Sequence, residues 1–318
     1  MADLLLASPD LPAAAPPPRS RRGGAFFREL RRSGTALFGL IIIVVIVGSA
    51  VFAPVIAPHD PTMQSLTDRL QPPLLFGGTA DHPLGTDQLG RDLLSRLLYG
   101  ARVSLGIAAS VVAIAGSIGI GLGLVAGYFG KWIDTVIMRA ADMQLAFPGI
   151  LLDVVILYAL GPSAKLLIIV LALNGWMIYA RITRSLVLPL RHAEYIEAAE
   201  IAGARPLRVM GRHILPNLAS PLMTLIVLEF ARIILAEAAL SFLGYGIQPP
   251  NSSWGLIVAQ GQDYLDTAWW LVTLPGAIIC ITVLSTNLFA SWLRIYTDPR
   301  QREKQLSRQL DALMVSKP

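Results

Sequence analysis

Six apolar stretches dominate this chain, and each is long enough, or nearly so, to cross a lipid bilayer as a helix. They are Thr35–Ala57, Val103–Phe129, Val136–Leu160, Leu166–Ile182, Leu218–Leu243 and Trp269–Leu293. A spanning helix needs about 20 apolar residues. Within the hydrocarbon every backbone polar group must find its partner inside the chain, so such runs read as helices. The fourth stretch is short and carries Asn174, the third contains Pro148 and the sixth Pro275. Such breaks are tolerated in spanning helices when neighbours satisfy the freed backbone groups. Composition agrees with this reading. The 318 residues are 54% hydrophobic and only 15% charged, with a mean hydropathy of +0.59, whereas soluble domains carry about a quarter charged residues. The fold class predicted is all-α integral membrane, with six transmembrane helices and no internal repeat.

Lys and Arg set the orientation, because they accumulate on the cytoplasmic side. With the N-terminus inside, the inner segments hold 20 of the 26 Lys and Arg residues, including the six of the Arg181–Asn217 loop. The outer segments hold only Arg69, Arg91, Arg96, Arg102 and Lys165, and Arg232 lies within a span. The prediction is therefore N-in, C-in with six spans.

Several chemistries are excluded. A single cysteine, Cys280, rules out an intrachain disulfide framework and a Cys-based zinc site. The four His are scattered with no HExxH-type pair. A phosphate-binding P-loop needs GxxxxGK[ST]. The Gly130-Lys131 pair has no Gly five residues earlier, and Trp132 stands where Ser or Thr belongs. No nucleophile elbow or metal cluster is apparent, so the chain is not read as an enzyme and no cofactor is assigned to it. The Pro/Ala-rich, then basic, N-terminus reads as a disordered tail. A signal peptide fits poorly, since the segment before the first apolar run exceeds thirty residues and no A-x-A site follows.

The segment EYIEAAEIAGARPLRVMGRHILPN, Glu194 to Asn217, is polar and sits between two spans. Tyr195, Ala198, Ala199 and Ala202 recur at helical spacing and make one small, flat face. Glu194, Glu197 and Glu200 lie elsewhere on that helix. Gly203 suits a left-handed helix stop, Arg205 is biased away from helix by the proline that follows it, and Pro206 suits the first turn of the next helix. That second helix is predicted to run to about Leu215, with Pro216 restarting the chain as span five. From Glu194 to Ala202 the helix is roughly 13 Å long at 1.5 Å per residue, the size of a docking knob. A solvated loop is the alternative. A DNA-reading helix-turn-helix does not fit, because both ends are tied to spans, and no nucleic acid is expected.

This stretch resembles the EAA loop of ABC-importer permeases, on Glu197, Ala198, Ala199, Gly203, Leu215 and Pro216, with His213 in the usual Ile slot. The ending RHILPN is similar to the dipeptide/oligopeptide/nickel branch. Two further stretches resemble the C-type subunit of that branch: HPLGTDQLGRDLLSRLLYGARVSL, His82–Leu105, and AEAALSFLGYGIQPPNSSWG, Ala236–Gly255. In the first, Thr86 or Asp87 is positioned to cap a helix, and Leu89, Leu93, Leu94, Leu97 and Leu98 form an apolar stripe. It reads either as an amphipathic helix on the outer membrane surface or as a lid on the bundle. The resemblance implies a type I importer fold and a Glu197–Gly203 helix that docks on a cytoplasmic ATPase. It also implies a second homologous permease, two ATP-binding cassette subunits or one fused double ATPase, and an extracytoplasmic substrate-binding protein. ATP and Mg would then be held by the partner subunits, and this chain would contact only its partners, its solute and membrane lipid. The implied solute is a di- or oligopeptide, with nickel, haem or another small solute as the alternative. An ATP-independent secondary transporter or channel is the rival class, for which inverted repeats would be expected.

The division that follows is a disordered basic cytoplasmic tail over 1–34, a first span over 35–57 and an extracytoplasmic loop with an amphipathic helix over 58–102. A five-helix core over 103–293 includes the coupling loop 184–216, and a cytoplasmic tail occupies 294–318. In that tail Asp298, Pro299, Leu306, Leu310 and Leu313 suggest a further helix. Charges inside spans are costly and usually face a protein interior. Glu229 and Arg232, three apart on span five, are expected to pair, either at a seam with a second permease or on the solute path. Glu237, Asp142 and Asp153 are the other candidates for the path or for intramembrane pairing. Gly119, Gly123 and Gly127 are spaced for close helix packing.

Overall fold

The computed structural model describes residues 28–297, and these are helical apart from loops and one isolated bridge between Thr86 and Asp92. The helices are α1 (Gly34–Val51), α2 (Ala53–Ile56), α3 (Leu93–Phe129), α4 (Lys131–Leu145), α5 (Gly149–Leu160), α6 (Ala164–Arg191), α7 (Glu194–Ile201), α8 (Pro206–Arg208), α9 (Leu215–Phe242), α10 (Trp254–Gly261) and α11 (Trp270–Thr297). A π-helical segment, Val209–Ile214, joins α8 to α9. Five helical stretches are long and apolar enough to cross a membrane, and α4 with α5 makes a sixth if that bent pair is one span. The chain is therefore a multi-pass membrane protein.

The frame is α3 packed along α6. Glycines make this contact possible. A Cβ at Gly119 would stand 2.2 Å from the Trp176 carbonyl oxygen, one at Gly123 2.5 Å from that of Ala180, and one at Gly127 2.7 Å from Val187 Cβ. The glycines of α3 thus serve packing, as their spacing predicts. Helix α9 packs on α3 and α11, and α1 lies outside against α11. Gly39 of α1 lets the backbones meet, since a Cβ there would be 2.8 Å from the Ser285 carbonyl oxygen. The face of α1 away from α11 exposes Phe38, Val44, Val45 and Val51.

Four boundaries differ from the sequence reading, each for a physical reason. The predicted outer amphipathic helix is not separate. Helix α3 starts at Leu93 and runs unbroken for 37 residues, and Leu93, Leu97 and Leu98 are buried in the core. The cap is Asp92, accepting from the Ser95 N–H at 2.7 Å, and not Thr86 or Asp87. The third span is not one helix. α4 stops at Leu145 and α5 restarts at Gly149 with an 80° bend, because Phe147 precedes Pro148 and is disfavoured in helical geometry. Span four is longer than its hydropathy suggests and runs on to Arg191. Finally, Pro216 does not restart the chain: residues Pro206–Phe242 form one continuous 37-residue stack. Pro216 sits in the first turn of α9, after the π segment, where a missing N–H is tolerated.

Most of the predicted N-tail and almost all of the C-tail, with its Asp298, Pro299, Leu306, Leu310 and Leu313, lie outside the described residues. Residues 28–32 do form a helical turn, and Leu30 is buried in a small cluster with Ala36 and Trp292, so this end of the 1–34 segment is ordered.

Candidate functional site

The polar segment after α6 builds a projecting knob. Helix α7 ends in a Schellman turn. Gly203 adopts φ +81°, its N–H donates to the Glu200 carbonyl at 2.9 Å, and the Ala204 N–H donates to that of Ala199 at 3.0 Å. Arg205 is extended and Pro206 opens α8, both as the sequence predicts. The anchor is Ile196, fully buried, on a helix that packs against the π segment. Tyr128 at the end of α3 donates to Glu200 at 2.6 Å, and Asn217 Nδ2 donates to the Tyr195 hydroxyl at 3.2 Å. Glu197, Ala198, Ala202, Gly203 and Pro216 are exposed, while Ala199 and Leu215 are half-buried. Ile201 and Leu207 stand 88% and 81% exposed at the tip, an apolar pair that the sequence reading did not single out.

Three of the charged residues inside the spans, Glu229, Arg232 and Asp153, sit on helices that pack around α6. Arg232 pairs with Glu229 at 2.7 Å within α9, the i, i+3 pair predicted, formed inside one chain. Its guanidinium reaches α6, 3.8 Å from where a Cβ on Gly175 would stand. Asp153 of α5 is buried and accepts from Asn174 Nδ2 at 3.2 Å, which explains the polar residue of the fourth span. Gln144 of α4 likewise donates to the Leu173 carbonyl and accepts from Trp176 Nε1 at 2.9 Å. The bent third span is thus fastened to α6 by side chains on either side of its break. Asp142 does not join this group. It pairs with Arg181, beside the Asp134–Arg184 pair, in an open polar cleft of about 620 Å³ towards the α7 end. A second, apolar cleft of about 670 Å³ runs between α3 and α9, past Gly116, Gly121, Leu215 and Phe230.

At the end of the bundle opposite α7 lies a knot of buried polar groups. Glu237 has no exposed surface. It accepts from Ser104 of α3 at 2.9 Å and from Ser241 at 2.7 Å. Ser241 also meets the Ile247 N–H and Ser253 Oγ, and Ser104 accepts from the Trp254 N–H. Trp254 in turn donates through Nε1 to the Leu97 carbonyl at 3.1 Å. Glu237 thus links α3, α9 and the 246–253 turn, and both of its oxygens are engaged. Next to it, Asp87 accepts from Arg91 at 2.7 Å and from Arg96. Both arginines reach Gln260, at 3.1 and 2.7 Å. At the edge of this knot His59, His82 and Asp92 converge, although 23 and 10 residues of sequence separate successive members.

With this geometry in view, comparison with known proteins is decisive. Residues 119–303 match the family described as binding-protein-dependent transport system inner membrane component, and residues 23–73 match the N-terminal TM domain of oligopeptide transport permease C. The chain belongs to the inner membrane component family of binding-protein-dependent transport systems. It is a permease and not itself an enzyme. It is 45% identical over 266 residues to the di/tripeptide transport system permease protein DppC of Pseudomonas aeruginosa, covering 83% of this chain and 88% of that one. It is 44% identical over 273 residues to a putative peptide transport system permease protein of Brucella suis, covering 86% and 90%. The dipeptide transport system permease protein DppC of Haemophilus influenzae is 38% identical over 269 residues, covering 84% and 91%.

The two family matches divide the permease in a physically sensible way. The larger begins at the first packing glycine of α3 and includes the knob and α9. The smaller holds α1, the helix outside the α3–α6 frame.

Proposed function

We propose that this permease carries di- or oligopeptides across a bacterial cytoplasmic membrane by alternating access, driven by ATPase subunits that grip the α7 knob. The single observation that carries the reading is mechanical. The knob is seated on the π segment, and the helical stack from Pro206 to Phe242 is unbroken. At 1.5 Å per residue its 37 residues span about 55 Å. Displacement of the knob is thereby transmitted past the Glu229–Arg232 pair to the Glu237 knot at the far end.

Orientation is part of the proposal. The α7 knob, the start of α1 and the end of α11 lie at one end of the bundle, since Ala36 clusters with Trp292 while Trp270 bonds the Thr86 carbonyl at the other. The excess of Lys and Arg in the segments at the α7 end supports placing that end in the cytoplasm. The exposed apolar tip of Ile201 and Leu207 supports a protein groove as its destination, because patches of this kind mark interaction sites. Glu197, Ala198, Ala199 and Gly203 are then the coupling residues. A second permease would cover the cleft between α3 and α9, two ATPases would bind ATP and Mg, and an extracytoplasmic binding protein would deliver the solute. The peptide cargo rests on the names of the relatives, and nickel or haem has no comparable support.

The test is Gly203→Asp in the reconstituted transporter. Aspartate accepts φ near +80° less readily than glycine, though better than most side chains, and a carboxylate is added beside the knob. The expected outcome is an assembled complex whose ATP hydrolysis is no longer matched by peptide uptake. Full coupled uptake by the variant would overturn the coupling assignment.

A further inference from the structure

The cluster of His59, His82 and Asp92 has no part in the transport reading. His59 follows α2, His82 lies in the turn-rich loop, and Asp92 caps α3. One ligand atom from each lies within 4.8 Å of the others. His82 Nδ1 and Asp92 Oδ1 are 3.1 Å apart. The His59 and His82 rings sit with centroids 4.8 Å apart. His59 Nδ1 is buried and has no hydrogen-bond partner among the described residues, an unusual state for a polar atom.

From these positions we infer that His59, His82 and Asp92 form a binding site for a zinc-class divalent ion. Two imidazoles and one carboxylate suit Zn²⁺, whose bonds to such ligands are about 2.0–2.2 Å. Hard ions such as Ca²⁺ and Mg²⁺ prefer all-oxygen shells of six or more, and a copper(I) site would call for sulfur ligands. Tetrahedral bonds of that length put ligand atoms about 3.3 Å apart, close to the His82–Asp92 separation already present. Closing the remaining span of 4.8 Å takes a modest swing of the His59 ring, which stands on a loop.

The supporting shell is in place, as metal ligands require. Asp92 Oδ2 is held by the Ser95 N–H at 2.7 Å, which leaves Oδ1 for the ion. Ser95 Oγ accepts from the His59 N–H at 3.1 Å, fixing the loop over the site. The three protein ligands leave a fourth position for water. The bound ion would staple the segment after α1 and α2 to the start of α3.

The experiment uses the full chain in detergent, purified through a tag free of histidine. It is stripped with chelator and dialysed against micromolar free Zn²⁺. About one zinc per chain is expected, with at least a tenfold loss of affinity in His59→Ala and in His82→Ala. Cobalt(II) in place of zinc should give tetrahedral absorption bands. A footprint on the native chain makes the test independent of variant folding. Zinc should protect His59 and His82 from carbethoxylation and leave His192 and His213 reactive. A native chain that retains no zinc, zinc retained equally by both variants, or a footprint unchanged by zinc would each overturn the site.

Discussion

Replacing Glu237 with Ala tests whether this residue builds the bundle or lines a path. In the structure its two oxygens accept from Ser104 and Ser241, and the side chain has no exposed surface. Alanine leaves two buried hydroxyl donors without their acceptor, at about 1–3 kcal/mol each. Relief from burying a carboxylate offsets part of that loss. A net destabilisation of about 2–4 kcal/mol follows, which lowers an unfolding midpoint by roughly 5–15 °C. Glu237→Gln keeps one acceptor oxygen and the side-chain volume, so about half that loss is expected. The assay is the thermal midpoint of the detergent-solubilised chain, read beside peptide uptake by the assembled transporter. Midpoint and uptake should fall together, in the order native, Gln, Ala. An alanine variant that melts with the native chain and yet fails to transport would refute the structural role and return Glu237 to the solute path.

Two further perturbations address the frame and the membrane charges. Gly123→Leu forces α3 and α6 apart, because its Cβ alone would stand 2.5 Å from a backbone carbonyl oxygen. Overpacking of this kind costs about 1–3 kcal/mol, whereas Gly121→Ala, with nothing within 4 Å, should melt with the native chain. Equal midpoints for both would mean that the glycines are not packing devices. Glu229→Gln removes the negative charge that Arg232 meets at 2.7 Å. A double-mutant cycle with Arg232→Met should give a coupling of about 0.5–3 kcal/mol, and additive effects would dissolve the pair as an energetic unit.

Much of the architecture is legible in the sequence because bilayer thickness imposes a length on apolar runs, and that constraint is local. The Schellman stop at Gly203 and the Pro206 start are legible for the same reason, since each depends on one residue's backbone. The features that the sequence leaves open depend on partners far along the chain. Leu93, Leu97 and Leu98 look like the stripe of a surface helix until Trp254 is found donating to the Leu97 carbonyl. Arg91 and Arg96 look like loop charges, yet they are buried around Asp87 and Gln260. For Glu237, hydropathy marks the cost of a buried carboxyl group and cannot show the serines that satisfy it. His59, His82 and Asp92 have no motif spacing at all. Pro148 and Pro216 show the limit from the other side. The same residue type stands at an 80° break at Pro148, yet the helices that hold Pro216, Pro221 and Pro275 stay continuous.

That difference bears on how motion would travel. A bent third span cannot act as a rod, and its break is fastened to α6 through Gln144 and Asp153. The stack from Pro206 to Phe242 can act as one, with the knob seated at its base and the Glu237 knot at its far end. In the proposed cycle, a pull on the knob therefore acts on the rod first. The rod carries Arg232, whose guanidinium lies over Gly175 of α6, so α6 and the broken span fastened to it are drawn into the same movement. The α3–α9 cleft lies on the other side of that rod. Its walls are small or apolar residues such as Gly116 and Gly121, which can slide without breaking hydrogen bonds. Rigid transmission on one face and a low-friction wall on the other are what a rocking helix requires.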